Sequence, residues 1–90
     1  MDFEWDDEKQ LSNVRKHGID FLDAKEIWRG HVLEIPSVQN HHGEDRFVAI
    51  GHEAGRFITV VFTWRGNKRR IISARIARKD ERENYHKKIG

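Results

Sequence analysis

The feature that most constrains the fold of this chain is the segment 57–64, FITVVFTW, in which every residue is β-branched or aromatic. Such residues fit the pleated, half-buried surface of a sheet, so we expect this strand to lie at the centre of one. A glycine-containing turn at residues 53–56 and an apolar strand at residues 46–52 precede it. The two strands are therefore predicted to form a hairpin.

Further strand patterns surround this hairpin. Residues 65–68, RGNK, contain the glycine and asparagine that favour a tight turn, and residues 69–77 follow as the next strand. Residues 31–35 have a strand pattern that Pro36 ends, and residues 1–5 alternate aromatic and acidic side chains. We predict an antiparallel meander of three to four strands.

Two short helices are predicted ahead of the meander. Asp6 is a suitable N-cap for a helix that runs to about Lys16, and Gly18 is the expected left-handed terminator. Asp20 caps a second helix over residues 21–29, which has one apolar face. Because the apolar face of the sheet must be covered, both helices are expected to pack on it, which gives an α+β fold.

Length and composition predict one small domain spanning residues 1–90, since 37% hydrophobic residues supply a modest core. The chain has no cysteine, which excludes disulfides and thiolate metal sites. Nothing resembles a signal peptide or a membrane span, so we expect a cytoplasmic protein without membrane partners. His41 and His42 resemble a metal pair, but neighbours on an extended chain point to opposite sides and no third ligand is spaced for zinc. No metal is predicted.

Positive charge is concentrated at the C-terminal end. Residues 1–64 contain seven Lys or Arg against twelve Asp or Glu, a net charge of −5, whereas residues 65–90 contain ten against three, a net charge of +7. Such a basic block is typical of proteins that bind polyanions, because each neutralised phosphate releases counterions. A solvated charged helix, or a surface for an acidic partner, explains the same distribution.

A buried strand leads directly into the charged C-terminal helix predicted at Lys79–Lys88. This junction brings together four residue types that handle phosphate and protons, namely Arg75, Arg78, Glu81 and Tyr85. Helical spacing brings Arg78, Glu81 and Tyr85 to one face. The alternative is a salt-bridged, solvent-exposed face that Tyr85 anchors to the sheet. Because the helix has almost no apolar stripe, we expect it to be held loosely or by a partner.

Two classes of function are compatible with this junction. Arginines stabilise charge on a transferring phosphoryl group, and Glu, Tyr or His can move protons at a ribose 2′-hydroxyl or a leaving 5′-oxygen, so RNA cleavage without a metal is possible. A phosphate-binding glycine loop, a nucleophile elbow and a zinc-protease helix motif are all absent from the sequence. The other class is a non-catalytic module that uses the basic face to bind nucleic acid or an acidic partner.

Three groups of residues, in order along nearly the whole chain, carry a family resemblance: Phe3–Asp6 with Lys9, Asn13, Lys16–Ile19, Phe21 and Ala24; Glu44–Phe47 with Ile50 and Gly51; and Ile71–Arg75 with Ala77, Glu81, Arg82 and Tyr85. In order and spacing they resemble the BrnT family of bacterial toxins. The resemblance implies a RelE-like fold and a type II toxin–antitoxin ribonuclease that cleaves RNA without a metal or cofactor and inhibits translation and growth. It also implies a BrnA-type antitoxin, through which the complex binds operator DNA.

Carried over by position, the resemblance suggests roles for individual residues. Arg75 and Arg46 are expected to bind phosphate and stabilise transition-state charge, and Tyr85, Glu81 or His17 to handle protons. Two alternatives stay open. His17 also suits the C-terminal end of a helix dipole, and the two arginines could be structural partners of the acidic half. Further RNA contacts are predicted at Lys16, Arg65, Arg69, Arg78 and Arg82.

Overall fold

A computed structural model describes residues 2–38 and 43–90 and shows one five-stranded sheet with helices on both faces. The strands, in chain order, are β1 (Asp2–Trp5), β2 (Leu33–Pro36), β3 (Phe47–Glu53), β4 (Arg56–Arg65) and β5 (Lys68–Ile76). The α-helices are α1 (Asp7–His17), α2 (Phe21–Ala24) and α3 (Lys79–Lys88), and a 3₁₀ helix over Lys25–Arg29 follows α2 directly. The predicted α+β class is confirmed.

The sheet is mixed and contains more strands than predicted. Its order is β1-β5-β4-β3-β2, so β4 is central as expected, and the strands from β2 to β5 form an antiparallel meander. Strand β1 adds a fifth strand that pairs in parallel with β5, with Asp2 opposite Lys68 and Trp5 opposite Ile71. The prediction of three to four antiparallel strands is therefore corrected. Parallel pairing requires a crossover connection, which here contains the N-terminal helices and strands β2 to β4. Local sequence does not specify which edge of the sheet β1 joins.

A β-bulge interrupts the pairing of β4 with β5. Val61 lies opposite Ser73, but its neighbour Phe62 lies opposite Ile71, which leaves Ile72 as an extra residue. Ile71 and Ala74 are buried in the core on one face, whereas Ile72 and Ser73 line open grooves. The bulge therefore reverses the side-chain alternation within β5.

The N-terminal helices cover one face of the sheet, as predicted. Phe21, Ala24 and Ile27 are buried against Val60 and Phe62 of the central strand. Local signals place the helices. Asp6 accepts hydrogen bonds from the N–H groups of Glu8 and Lys9, and Gly18 ends α1 in the left-handed conformation with φ of 69°.

Gly51 of β3 lies in close contact with the 3₁₀ helix, because a Cβ atom at residue 51 would lie 2.9 Å from Ile27 Cβ. Gly51→Ala is therefore expected to lower the free energy of unfolding by about 1–3 kcal/mol, as overpacking does. Gly30→Ala is the matched control, since a Cβ atom at residue 30 would meet no atom of the described residues within 4 Å. Urea denaturation measures both variants. Equal stability of the two variants would contradict this packing.

Helix α3 covers only one end of the opposite face. Its Tyr85 is buried with Ile50 and Ala77, and Phe57 packs against this group. The Tyr85 hydroxyl donates a hydrogen bond to the His31 carbonyl oxygen at 3.1 Å. These contacts correct the expectation that α3 is loosely held, and they leave the rest of this face open. In the two described ranges, no helix is both long and apolar enough to cross a membrane.

Candidate functional site

The open part of the second face forms a cavity of about 380 Å³, which we call the arginine cavity. Three cationic side chains, Arg46, Arg75 and Arg78, line it. Its remaining lining includes hydroxyl and aliphatic side chains, namely Ser37, Ser73, Val38, Val48, Val61 and Ile72. An apolar surface surrounded by guanidinium groups suits a ligand that combines a flat apolar part with an anionic group.

The strand register explains why distant arginines meet. Val61 of β4 lies opposite both Val48 of β3 and Ser73 of β5, so these three residues form a row across the sheet. Side chains two residues apart on a strand point to the same face. Arg46 precedes Val48 by two residues and Arg75 follows Ser73 by two, which places both guanidinium groups beside this row.

Arg75 forms a bidentate salt bridge with Glu81 of helix α3. Its Nη1 donates to Glu81 Oε1 at 2.7 Å, and its Nη2 donates to Glu81 Oε2 at 2.9 Å. The Glu81 carboxylate also accepts hydrogen bonds from the Arg78 backbone N–H at 2.8 Å and from the Thr59 hydroxyl at 3.0 Å. Four donors on one carboxylate fix its position and, through the bidentate pair, the orientation of Arg75.

These contacts set the charge states of the pair. Burial disfavours ionisation of Glu81, but the hydrogen bonds from Arg75, Arg78 and Thr59 outweigh it and lower the pKa of Glu81 to about 2. The hydrogen bond with Glu81 raises the pKa of Arg75 above its ordinary value. A carboxylate with so low a pKa is a weak base. The contacts and the low pKa therefore favour a positioning role for Glu81, in which it holds Arg75. They argue against its predicted role in proton transfer.

Replacing Glu81 by glutamine is expected to weaken the acid sensitivity of the fold. The pKa of Glu81 in the folded protein, about 2, lies below its ordinary value of 4.5. Ionised Glu81 therefore stabilises the folded state fully above about pH 4.5, and this stabilisation is lost as the pH falls toward about 2. Urea unfolding across this window should show a steeper loss for wild type than for Glu81→Gln.

Glu83→Gln is the matched control, because Glu83 lies on the same helix with 66% of its side chain exposed. Its stability should follow the wild-type curve. Parallel curves for wild type and Glu81→Gln would contradict the assigned contacts.

Tyr85 does not reach the arginine cavity. The residue is 6% exposed, its hydroxyl is bonded to the His31 carbonyl, and its ring contacts Phe57 and His52. This arrangement agrees with the alternative in which Tyr85 anchors α3 to the sheet. It argues against the predicted role in proton transfer.

Arg69 and Arg82 are engaged within the protein. Arg69 lies on the core side of the sheet, with its guanidinium carbon 4.4 Å from the Trp64 ring centroid and its Nη2 2.7 Å from Glu34 Oε2. The residue is 9% exposed, which argues against the predicted RNA contact. Arg82 donates from Nη1 to the Ala77 carbonyl oxygen at 2.8 Å, which holds the start of α3.

Arg65 borders the cavity through a shared acidic residue. Its Nη2 lies 3.2 Å from Glu44 Oε2, while Arg46 Nε lies 3.6 Å from Glu44 Oε1. Glu44 therefore ties Arg65, on the exposed end of β4, to Arg46 in the cavity wall. Both arginines of this pair belong to the predicted site, but only Arg46 lines the cavity itself.

Lys16 and His17 lie next to the arginine cavity and not inside it. They line a second groove of about 240 Å³, which contacts the cavity at Ile72 and Ser73. Ser73 and Thr59 were not predicted from the sequence as site residues. Ser73 lies two residues before Arg75 on β5, so alternation places both side chains on the same face. Thr59 lies opposite Arg75 on β4, which only the strand register shows.

The structure adds no metal site to this picture. Within residues 2–38 and 43–90, no group of three or more His, Asp or Glu side chains is placed to hold a metal ion. The pair His41 and His42, considered from the sequence, lies outside the described residues.

An α+β fold with an open sheet face, on which three arginines converge and a carboxylate fixes one of them, defines a protein suited to binding phosphate groups. A family model described as "Ribonuclease toxin, BrnT, of type II toxin-antitoxin system" matches residues 5–81. The chain belongs to this BrnT family of ribonuclease toxins. Membership confirms the resemblance seen in the sequence, and a type II system implies an RNA substrate and an antitoxin partner.

A solved structure agrees with the family model. The crystal structure of the Brucella abortus ribonuclease toxin BrnT is similar to this chain, with a TM-score of 0.64 and 32% sequence identity. The match covers 88% of this chain and 99% of that chain. No curated protein sequence matches the chain.

Proposed function

We propose that this chain is a single-domain toxin, residues 1–90, that cleaves RNA in the arginine cavity without a metal ion or cofactor and thereby inhibits translation and growth. The observation that carries the proposal is the bidentate Arg75–Glu81 pair on a face that also presents Arg46 and Arg78. A guanidinium group held in advance spends little free energy on reorganisation when charge develops on a phosphate. Membership in a ribonuclease family supports the same reading.

We assign a separate role in cleavage to each residue of the site. Arg75 binds the scissile phosphate and stabilises the charge that develops as the 2′-oxygen attacks phosphorus and the bond to the leaving 5′-oxygen breaks. Arg46, which precedes β3 on the far side of β4, binds the same phosphate. Glu81 keeps Arg75 in place. His17, exposed at the border of the cavity, is the remaining candidate for proton transfer among the three residues suggested by the sequence. Burial of Tyr85 and the low pKa of Glu81 support this choice.

The mechanism is tested with purified protein and single-stranded RNA in the presence of a metal chelator. Cleavage should continue, and the products should end in a 2′,3′-cyclic phosphate. RNA with 2′-deoxy sugars should resist cleavage. A requirement for Mg²⁺, or cleavage of the deoxy strand, would contradict the proposal. Intact RNA that nevertheless binds tightly would favour the non-catalytic binding module.

We also propose where the toxin acts and which partners it binds. The toxin acts in the cytoplasm, its fold is of the RelE type, and a BrnA-type antitoxin neutralises it. Operator DNA is bound only through the antitoxin in the complex. The net charge of +7 in residues 65–90 supports an acidic contact surface on the antitoxin. Co-expression with the neighbouring antitoxin gene should restore growth, and continued growth arrest despite abundant antitoxin would contradict this part.

A further inference from the structure

A second groove continues from the arginine cavity. It has a volume of about 240 Å³, is lined on one side by Lys9, Ser12 and Lys16 of helix α1, and shares Ile72 and Ser73 with the cavity. We call it the lysine groove. A strand of nucleic acid lying in the cavity would therefore pass directly into the groove on this side.

The walls of the lysine groove are built into the fold. The β-bulge at Ile72 brings both Ile72 and Ser73 to this surface. Strand β1 pairs with β5 only as far as Ile71, and α1 takes its place beyond that residue. The side chain of Asn13 fastens α1 there by accepting from the Ala74 N–H at 3.1 Å and donating to the Ala74 carbonyl oxygen at 2.8 Å.

The charges of the groove lysines are not used inside the protein. Lys9 and Lys16 are both exposed and lie seven residues apart, which places them two turns apart on one side of α1. Neither ammonium group forms a salt bridge to any carboxylate in the part of the chain that the structure describes. By contrast, Arg65 and Arg70 on the sheet each form a salt bridge with a glutamate.

We propose that the lysine groove binds the phosphodiester backbone of the RNA strand beside the nucleotide held in the arginine cavity. This inference rests on the proposed function and deepens it, because it makes the substrate a strand of several nucleotides and not an isolated linkage. Lys9 and Lys16 neutralise flanking phosphates, and the hydroxyl groups of Ser12 and Ser73 donate hydrogen bonds to phosphate oxygens. Lys9, Lys16 and the two serines supply affinity and take no part in the chemistry.

The test compares the double variant Lys9→Ala/Lys16→Ala with Lys87→Ala/Lys88→Ala. The control removes the same charge from exposed positions at the end of α3. For a long single-stranded RNA, the groove variant should show a KM about tenfold higher with kcat unchanged. The salt dependence of binding, as log K against log salt, should become shallower by about 1.4, the value for two single-strand phosphate contacts. The control should retain wild-type values.

A minimal RNA with one scissile linkage separates the groove from general electrostatics. Because it lacks the flanking phosphates that Lys9 and Lys16 neutralise, its cleavage by the groove variant should match the wild type. Equal losses in both double variants, or an unchanged KM for long RNA, would overturn the inference. Failure of the proposed function gives a different result, since the wild type would then cleave no RNA. In that case, fluorescence anisotropy with long RNA tests whether the lysine groove binds RNA. Weaker binding by the groove variant alone supports the inference, and binding equal to that of the wild type overturns it.

Discussion

Arg75→Ala is expected to slow RNA cleavage by about 100- to 1000-fold, the usual cost of removing one fixed donor from a developing charge. RNA binding should fall far less, because Arg46, Arg78 and the lysine groove remain in place. Arg75→Lys should recover little of the rate. A lysine keeps the positive charge but lacks the planar fork that bonds both Glu81 oxygens, so its ammonium group is not held in one orientation. Single-turnover cleavage with saturating enzyme measures this effect separately from binding.

Arg29→Ala is a suitable control for this prediction, since Arg29 is 83% exposed and lies on the opposite face of the sheet, outside the arginine cavity. Circular dichroism should show that all variants are folded. In a bacterial host, induced wild type should arrest growth and degrade RNA, whereas Arg75→Ala at matched protein level should do neither. Cleavage by a folded Arg75→Ala protein within threefold of the wild-type rate would remove Arg75 from the catalytic centre.

Asn13→Ala is expected to lower the free energy of unfolding by about 3 kcal/mol or more, since each buried polar group left without a partner costs about 1–3 kcal/mol. The Asn13 side chain is 5% exposed and makes three hydrogen bonds to backbone groups. Its Nδ2 donates to the carbonyl oxygens of Ile19 and Ala74, both at 2.8 Å, and its Oδ1 accepts from the Ala74 N–H at 3.1 Å. The substitution leaves all three backbone groups without these bonds. The Ala74 groups lie beyond the end of the β1–β5 pairing, where α1 packs beside β5.

Leu11→Ala is the control on the same helix, because Leu11 is 58% exposed and its loss should change stability by no more than about 0.5 kcal/mol. Urea denaturation followed by tryptophan fluorescence measures both variants. An Asn13→Ala protein as stable as the control would mean that α1 is not fastened to β5 through this side chain.

The local elements of the fold were predictable because their signals lie next to one another in the chain. Asp6, Gly18 and Asp20 mark helix ends as expected, and α3 has the bounds Lys79–Lys88 that its composition predicts. The spacing of Arg78 and Glu81 was also informative, since the Glu81 carboxylate accepts from the Arg78 N–H three residues earlier. Parallel pairing of β1 was not predictable, because it depends on contacts with residues more than sixty positions away.

The positions of Arg69 and Arg75 could not be predicted from local sequence. They lie six residues apart on β5, and strict alternation would place them on the same face. The bulge at Ile72 reverses the alternation between them. Arg69 is therefore buried among aromatic rings, while Arg75 lines the open cavity. From the sequence both were candidates to contact RNA.

The amino-acid sequence by itself determined the approximate positions of the helices and of the meander strands, the α+β class and the resemblance to the BrnT family, since these depend on residue type and short-range spacing. Only the tertiary structure decided which arginines share the open face and that Glu81 holds Arg75. It also decided that Tyr85 is a buried anchor and that the lysines of α1 adjoin the cavity. The physical reason is that the chemistry of a side chain is local, but its exposure, partners and pKa depend on strand register and on elements that pack from elsewhere in the chain.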